Sequence, residues 1–186
     1  MSNFLPPEVL NEDGSIRWMK ETPRPAKVVI CDIDGTIADC THRLHFVKGP
    51  SEGQYGCFKP NWDAFFDACA DDKPIQPIIE LVKGLQRLGY RIVFLSGRSD
   101  RVLDKTVQWL SFSGFYPGEN YDYLGMRKHG DHRDDTVVKL EMLSELMVKM
   151  VINHEDIFCV IDDRRRVCEM WRKQGLTVLQ VAEGEF

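Results

Sequence analysis

Short apolar runs alternate with longer amphipathic segments along most of the chain. The first run, at 27–32 (KVVICD), is rich in β-branched residues and ends in a carboxylate, which is typical of a strand buried on both faces of a sheet. Similar runs predict four further strands, at 90–95, 121–124, 157–161 and 176–181. Apolar residues at helical spacing predict helices over 75–88, 100–113, 136–151 and 164–174. This alternation predicts an α/β fold, a Rossmann-like parallel sheet flanked by helices.

The segment 39–73 interrupts the alternation of strands and helices. Its first half is rich in glycine and proline, and its second half contains NWDAFFDACA, in which aromatic residues recur at helical spacing. We therefore expect a small cap, inserted in the core at about 39–74. The aromatic residues of this stretch are Trp62, Phe65 and Phe66. They could pack in a core or stack on a nucleobase.

The ends of the chain and its composition limit the class of protein. Residues 1–26 contain four prolines and little periodicity, so we expect an irregular N-terminal arm before a catalytic core at 27–186. No apolar run reaches the length of a membrane span, and the N-terminus lacks the basic start and apolar stretch of a secretion signal. The six cysteines form no C-x-x-C pair. We therefore expect a cytoplasmic protein with reduced thiols and no membrane partner.

Polar residues follow the predicted strands at the points where these strands end. Because ligands of open parallel sheets bind beyond the carboxyl ends of the strands, these residues are the candidates for chemistry. They are Asp32, Asp34, Gly35 and Thr36 after the first strand, Ser96, Gly97 and Arg98 after the second, and Asp162 and Asp163 after 157–161. Lys139, near the start of a predicted helix, adds a positive charge. Together they supply the groups that phosphoryl transfer requires.

The Asp-x-Asp sequence predicts a covalent mechanism. We expect Asp32 to attack phosphorus, and Asp34 to protonate the leaving group and then to activate water. Carboxylates this close together are costly unless a cation neutralises them, so we expect Mg²⁺ as cofactor. The expected metal-binding residues are Asp32, Asp34 (through a nearby carbonyl), Asp162 and Asp163. The expected phosphate-binding residues are Thr36, Ser96, Gly97 and Lys139.

Some of these residues also have a purely structural interpretation. Asp162 and Asp163 could cap the helix that follows them, and Lys139 could be a solvated residue on an amphipathic helix. The sequence has two His-x-x-His pairs, His42 with His45 and His129 with His132. Their spacing matches no common structural set of zinc ligands, so a zinc site is disfavoured.

Four motifs, in this order along the chain, resemble those of the haloacid dehalogenase (HAD) superfamily of phosphatases. They are C-D-I-D-G-T, L-S-G-R, V-V-K and V-I-D-D-R, and the resemblance extends over 28–181. The resemblance implies that Asp32 is the nucleophile and Asp34 the acid/base residue. It also implies that Ser96 and Lys139 bind the phosphate and that Asp162 and Asp163 are carboxylates on the metal side.

Two longer stretches, 127–139 (RKHGDHRDDTVVK) and 161–172 (IDDRRRVCEMWR), resemble the 3′-phosphatase module of phage polynucleotide kinase-phosphatases. In that family, arginines at the positions of Arg98 and Arg127 help to hold the substrate phosphate, so the resemblance implies this role for both. The implied substrate is a phosphorylated nucleotide or the 3′-phosphorylated end of DNA or RNA. Because the sequence has no G-x-x-x-x-G-K-[ST] loop, we expect no kinase half, and a kinase or a ligase would be a separate partner.

The sequence leaves two other functions open. A small-molecule phosphatase, such as a nucleoside monophosphatase, would have the same motifs but would prefer free nucleotides. A non-catalytic phospho-acceptor switch also gathers aspartates, a lysine and Mg²⁺ on a parallel sheet, although Asp34 supplies a base for hydrolysis that a switch should avoid. The net charge of −5 means that a nucleic acid would need a local basic patch, such as 127–133 or 164–166.

Overall fold

The computed structural model of this protein describes residues 27–49 and 58–184. The predicted arm at 1–26 and part of the predicted cap, 50–57, lie outside the described residues. In chain order the described strands are β1 (Val28–Cys31), β2 (Ala38–Asp39), β3 (Lys73–Pro74), β4 (Arg91–Ser99), β5 (Tyr123–Arg127), β6 (Ile157–Arg164) and β7 (Val178–Gly184). The described α-helices are α1 (Trp62–Asp67), α2 (Gln76–Arg87), α3 (Leu103–Phe112), α4 (Asp135–Met150) and α5 (Arg165–Lys173).

Five parallel strands form the central sheet, in the order β5-β4-β1-β6-β7. The middle strand, β1, is completely buried, and its side chains alternate between the two faces of the sheet. Val29 and Cys31 belong to a core cluster with residues of α2 and α3, whereas Val28 and Ile30 belong to one with residues of α4 and α5. The predicted α/β fold, a Rossmann-like parallel sheet with helices on both faces, is therefore confirmed.

Each predicted core strand and helix is found, with shifts at its ends. The helix predicted at 100–113 is a 3₁₀ turn followed by α3. The strand predicted at 121–124 is found two residues later, as β5, because Tyr121 pairs with Pro117 in an isolated bridge before the strand begins. Gly89 and Gly175 follow α2 and α5 with φ angles of 90° and 80°, which is why these helices stop where the glycines predict.

The insertion between β1 and α2 begins and ends in a short antiparallel ribbon. In this ribbon β2 pairs with β3, and the backbone N–H of Ile75 donates to Ile37 O at 2.8 Å beside it. The described residues between the two strands include a 3₁₀ helix, Thr41–Phe46, and α1. The ribbon thus holds both ends of the insertion next to the loop that follows β1. The division into arm, core and cap stays an interpretation of the sequence.

Two of the three aromatic residues of α1 are core residues. Phe65 and Phe66 are buried and cluster with Cys69 and Val102. Trp62 is 43% exposed, and its ring lies 5.7 Å from that of Phe65 and 6.0 Å from that of Phe66. Packing in the core therefore accounts for Phe65 and Phe66 but not for Trp62.

The structure describes most of the cysteines and the helices from 62 onward. The five cysteines of the described ranges are buried and unpaired, and Cys57, the sixth, lies outside those ranges. No described helix combines the length and the hydropathy that crossing a bilayer would require.

Candidate active site

The strands that carry the predicted motifs leave the regular ladder at those residues. The pairing of β4 with β5 shifts between Ser96 and Ser99, and the pairing of β6 with β7 shifts between Asp162 and Arg164. Asp32 directly follows β1, and its backbone N–H donates to a carbonyl of β6 at 2.9 Å. Because the carboxyl ends of these parallel strands share one edge of the sheet, the motif residues are brought together there.

Three buried carboxylates and one lysine form the centre of the site. Carboxylate oxygens of Asp32, Asp162 and Asp163 all lie within 4.8 Å of one another, and each residue is at most 6% exposed. Lys139 reaches them from α4, with Nζ 2.8 Å from Asp32 Oδ1 and 2.7 Å from Asp162 Oδ2. Residues from three segments that are far apart in the sequence therefore make one acidic cluster with a single ammonium group.

One lysine does not neutralise this cluster. Burial alone would lower the pKa of Lys139, but Asp162 and Asp32 outweigh it and raise that pKa, so the lysine stays charged. Burial raises the pKa of Asp32 well above its usual value; Lys139 opposes this increase, and Asp162 and Asp163 add to it. Burial, followed by repulsion from Asp162, raises the pKa of Asp163 to about 6. An excess of buried carboxylate oxygens fits a hard divalent cation such as Mg²⁺.

Asp163 is held in place by its neighbours on both sides. A Cβ atom at Gly35 or at Gly184 would overlap Asp163 Oδ2, so the two glycines leave the space that the carboxylate occupies. Gly35 also has a φ of 81°, a conformation that side chains with a Cβ rarely adopt. Thr36 Oγ1 donates to Asp163 Oδ1 at 3.2 Å. Thr36, predicted to bind phosphate, thus binds a carboxylate of the cluster in this structure.

Asp34 lies outside the cluster, in a network with two arginines. Arg43 Nη2 and Arg98 Nε donate to Asp34 Oδ1 at 2.6 and 2.8 Å. The same two guanidinium groups bind Asp72: Arg43 Nε donates to Oδ1 at 2.7 Å and Arg98 Nη2 to Oδ2 at 2.5 Å. Both arginines and Asp72 are buried. Two carboxylates and two guanidinium groups therefore form a closed network that joins the insertion to β4 and to the loop after β1.

This network fixes the charge of Asp34. Burial alone would raise the pKa of Asp34, but Arg98 and Arg43 outweigh it and hold that pKa below its usual value. Both arginines bind the same oxygen, Oδ1, and no described residue donates to Oδ2. Asp34 lines the cavity described below, so it presents an ionised carboxylate with one oxygen anchored.

Arg127 is positioned by a second network, at the end of β5. Its Nε donates to Gly97 O at 3.1 Å, and its Nη2 donates to Asp135 Oδ1. The other oxygen of Asp135 accepts from Arg164 Nη1. Asp135 thus links the arginine predicted to bind phosphate to one from the Arg164–Arg166 run.

Only some of the predicted phosphate ligands line the cavity. Gly97, Arg127 and Lys139 do, together with Asp32, Asp34 and Asp163. Ser96 and Arg98 are fully buried, and Ser96 Oγ accepts from the backbone N–H of Arg98 at 3.3 Å. Arg98 and Thr36 instead contact carboxylates that line the cavity, those of Asp34 and Asp163.

Sequence reasoning missed three residues of the two networks. Arg43 and Asp72 come from the insertion, where no motif points to them, although both lie close in sequence to the β2–β3 ribbon. Asp135 had a usable signal, because it lies four residues before Lys139 and so on the same side of α4.

The carboxylates open into a cavity of about 520 Å³. Its lining includes the aromatic residues Trp62, Phe65 and Phe66 and the segment 127–135 with Arg164 and Arg166. This volume lies in the range of pockets that hold nucleotide-sized ligands.

A family model, that of the polynucleotide kinase PNKP phosphatase domain, matches residues 61–186. The chain belongs to this family. The match confirms the predicted HAD superfamily resemblance, its closeness to the polynucleotide kinase-phosphatases, and the prediction that the protein is a phosphatase.

Solved structures similar to this PNKP-type phosphatase domain include two of Pnkp1/Rnl/Hen1 assemblies. One chain of the Pnkp1/Rnl/Hen1 RNA repair complex is 27% identical, with a TM-score of 0.62 over 87% of this chain and 44% of that chain. A chain of a second Pnkp1/Rnl/Hen1 complex is 26% identical, with a TM-score of 0.62 over 93% of this chain and 53% of that chain. The domain thus spans about half the length of these relatives.

More distant structures share the fold of the domain. A haloacid dehalogenase-like family hydrolase from Streptococcus pneumoniae is 14% identical, with a TM-score of 0.59 over 83% of this chain and 84% of that chain. At this identity the likeness supports the HAD fold and nothing more specific.

Proposed function

We propose that this phosphatase is a Mg²⁺-dependent phosphomonoesterase that removes 3′-phosphates from the ends of DNA or RNA through an aspartyl-phosphate on Asp32. The observation that carries the proposal is the position of Asp32: it lies 2.8 Å from the ammonium group of Lys139, beside Asp162 and Asp163, and it lines the cavity. A nucleophilic carboxylate, a countercharge and room for a substrate thus coincide.

Asp32, Asp162 and Asp163 are the side chains that would hold Mg²⁺, with a backbone carbonyl near Asp34. Mg²⁺ bound there would screen the repulsion between these carboxylates and a phosphate dianion. Lys139 contributes a fixed positive charge that also keeps the Asp32 carboxylate oriented.

In the proposed reaction an oxygen of Asp32 attacks phosphorus, and the bond from phosphorus to the 3′ oxygen breaks. The leaving oxygen takes a proton from Asp34, which gives an acyl phosphate and a free 3′ hydroxyl. Asp34, now ionised, accepts a proton from water as the water attacks the same phosphorus. The bond from phosphorus to Asp32 breaks, and inorganic phosphate leaves with both catalytic carboxyl groups restored.

Arg43 and Arg98 influence the protonation state of Asp34, which must carry a proton in the first step. Because Arg43 and Arg98 keep the pKa of Asp34 low, the free site favours the ionised form that the second step needs. A phosphate dianion beside Asp32 would oppose that charge and favour the protonated form that the first step needs.

Gly97 and Arg127 are proposed to hold the phosphate, since both line the cavity with Lys139. Arg127 would do so by exchanging one of its present acceptors, such as Asp135, for a phosphate oxygen. Thr36, Ser96 and Arg98 would support the site from behind. Direct contact between Arg98 and phosphate would require its guanidinium to leave a carboxylate of Asp34 or Asp72.

The preference for 3′ ends rests on the family match and on the likeness to chains of the Pnkp1/Rnl/Hen1 assemblies, one of them an RNA repair complex. By the same reasoning we propose a separate kinase or ligase as a partner. A cytoplasmic location agrees with the five buried, unpaired cysteines of the described ranges.

The test is phosphate release with Mg²⁺ from 3′- and 5′-phosphorylated oligonucleotides, free nucleotides and sugar phosphates. We expect the highest kcat/KM for the 3′-phosphorylated oligonucleotides, and no release after chelation. A higher kcat/KM for free nucleotides would instead identify a nucleoside monophosphatase. An aspartyl-phosphate that persists for minutes would identify a phospho-acceptor switch.

A further inference from the structure

Trp62 is a large aromatic side chain that lines the active-site cavity and is left partly exposed by the fold. It is the first residue of α1, it is 43% exposed, and it lines the cavity that contains Asp32 and Asp34. The packing of α1 does not require an indole at this position, because Phe65 and Phe66 supply the buried contacts of the helix.

The ring of Trp62 is supported from behind by these two phenylalanines. Its plane is at 80° to that of Phe65, an edge contact, and at 31° to that of Phe66. An aromatic ring braced in this way is a rigid platform with apolar surface left for a ligand. The side chain loses little further freedom when a second ring stacks on it.

The cavity has room for more of a substrate than its phosphate group. About 520 Å³ is room for a nucleoside attached to the phosphate. The cavity lining also includes Lys128 and Arg166, both exposed, so cationic groups are available to the negatively charged backbone of a polynucleotide. Arg166 Nη1 lies 2.8 Å from Asp134 Oδ2, which lines the same cavity.

We propose that Trp62 stacks on the base of the nucleotide that carries the 3′-phosphate and that it determines the preference for a polynucleotide end with an unpaired base. This inference rests on the proposed function and specifies how the same site selects its substrate. Stacking on a single aromatic ring accepts every base, since each has a π face, so the platform gives a preference for a base without sequence specificity.

The experiment compares two 3′-phosphorylated single-stranded oligonucleotides that differ only in the last nucleotide, which carries a base in one and is abasic in the other. Phosphate release with Mg²⁺ is measured for the wild type, Trp62→Leu, Trp62→Phe and Phe112→Leu. Phe112 is the matched control, because it is a more exposed aromatic residue on α3 that does not line the cavity.

The wild type should prefer the base-bearing end by roughly 5- to 100-fold in kcat/KM, the range expected for one base stacked on an aromatic ring. The preference should appear mainly in KM, since the stack is present before and during the chemical step. It should persist in Trp62→Phe and Phe112→Leu and be lost in Trp62→Leu. Melting temperatures of all variants check that they fold.

A Trp62→Leu variant that keeps the wild-type preference would overturn the inference. A second measurement needs no variant and compares a single strand with a blunt duplex, whose last base is paired. The wild type should release phosphate more slowly from the duplex. Equal rates would also overturn the inference. A different result would contradict the proposed function itself. In that case the wild type would release phosphate from p-nitrophenyl phosphate but from neither 3′-phosphorylated oligonucleotide.

Discussion

Arg43 Nη2 lies 2.6 Å from Asp34 Oδ1, so a residue of the insertion holds the carboxylate proposed as the acid/base group. The same Nη2 and the Nε of this guanidinium also donate to the two carboxylate oxygens of Asp72, from the far end of the insertion. The described part of the insertion therefore does more than flank the cavity, because it fixes the orientation and the charge of Asp34.

Replacing Asp72 by asparagine should destabilise the protein and lower kcat. The change leaves two buried guanidinium groups facing one carboxylate, which costs about 3 kcal/mol in the free energy of unfolding. Activity should fall as well, because Arg43 and Arg98 would no longer be held against Asp34. Urea denaturation and steady-state kinetics measure the two effects.

The control for this prediction is Glu141→Gln, which breaks a more exposed ion pair with Arg133. Water screens that pair, so the unfolding midpoint should hardly change. Equal losses from the two substitutions would mean that the buried network contributes no more than a surface pair.

Replacing Asp32 by asparagine should abolish phosphate release while the fold is kept. An amide cannot form the acyl phosphate, so kcat should fall by at least about 10³-fold. Stability should be unchanged or higher without metal, because burial and two neighbouring carboxylates disfavour the charged form of Asp32. Asp104→Asn, an exposed change on α3, serves as the control. Residual turnover near the wild-type rate would remove Asp32 from the mechanism.

Replacing Gly184 by alanine should weaken metal binding. The new Cβ would overlap Asp163 Oδ2 and displace that carboxylate, so the Mg²⁺ concentration for half-maximal activity should rise by about 10-fold or more. Gly84→Ala is the matched control, since no atom lies within 4 Å of a Cβ there, and on α2 it should stabilise the helix by about 0.5–1 kcal/mol. An unchanged Mg²⁺ requirement in Gly184→Ala would contradict the assignment of Asp163.

The metal-free protein should lose stability as the pH rises from about 4 to about 6. The pKa of Asp163 is raised to about 6 in the folded state from an ordinary value of 3.8, so between these values the folded state binds more protons than the unfolded one. The stability that Asp163 contributes is fully present below its unfolded pKa of 3.8, and it is lost as the pH rises through its folded pKa of about 6. Lys139 stays charged throughout.

Urea denaturation in chelator at several pH values measures this slope. The change of stability with pH should be smaller in Asp163→Asn than in the wild type. Mg²⁺ added at neutral pH should stabilise the wild type more than the variant. A slope that is the same in both proteins would mean that Asp163 does not titrate in this range.

Much of the fold and part of the site could be predicted because their signals are local. A run such as 28–31, apolar at every position, fits a strand buried on both faces, and parallel strands bring their carboxyl ends to one edge. That rule alone places Asp32 near Asp162 and Asp163, and the structure brings the three together. Their catalytic and metal-binding roles stay predictions.

What the sequence determined by itself is the α/β order of elements, the phosphatase family and the acidic residues at the strand ends, since each depends on periodicity or on contiguous motifs. Only the tertiary structure decided that Arg43 and Asp72 enclose Asp34, that Arg98 is buried between two carboxylates, and that Trp62 stays exposed while Phe65 is covered. These outcomes depend on which distant segments pack against each other, and the pairing of charges in a buried network leaves no periodic trace in the chain.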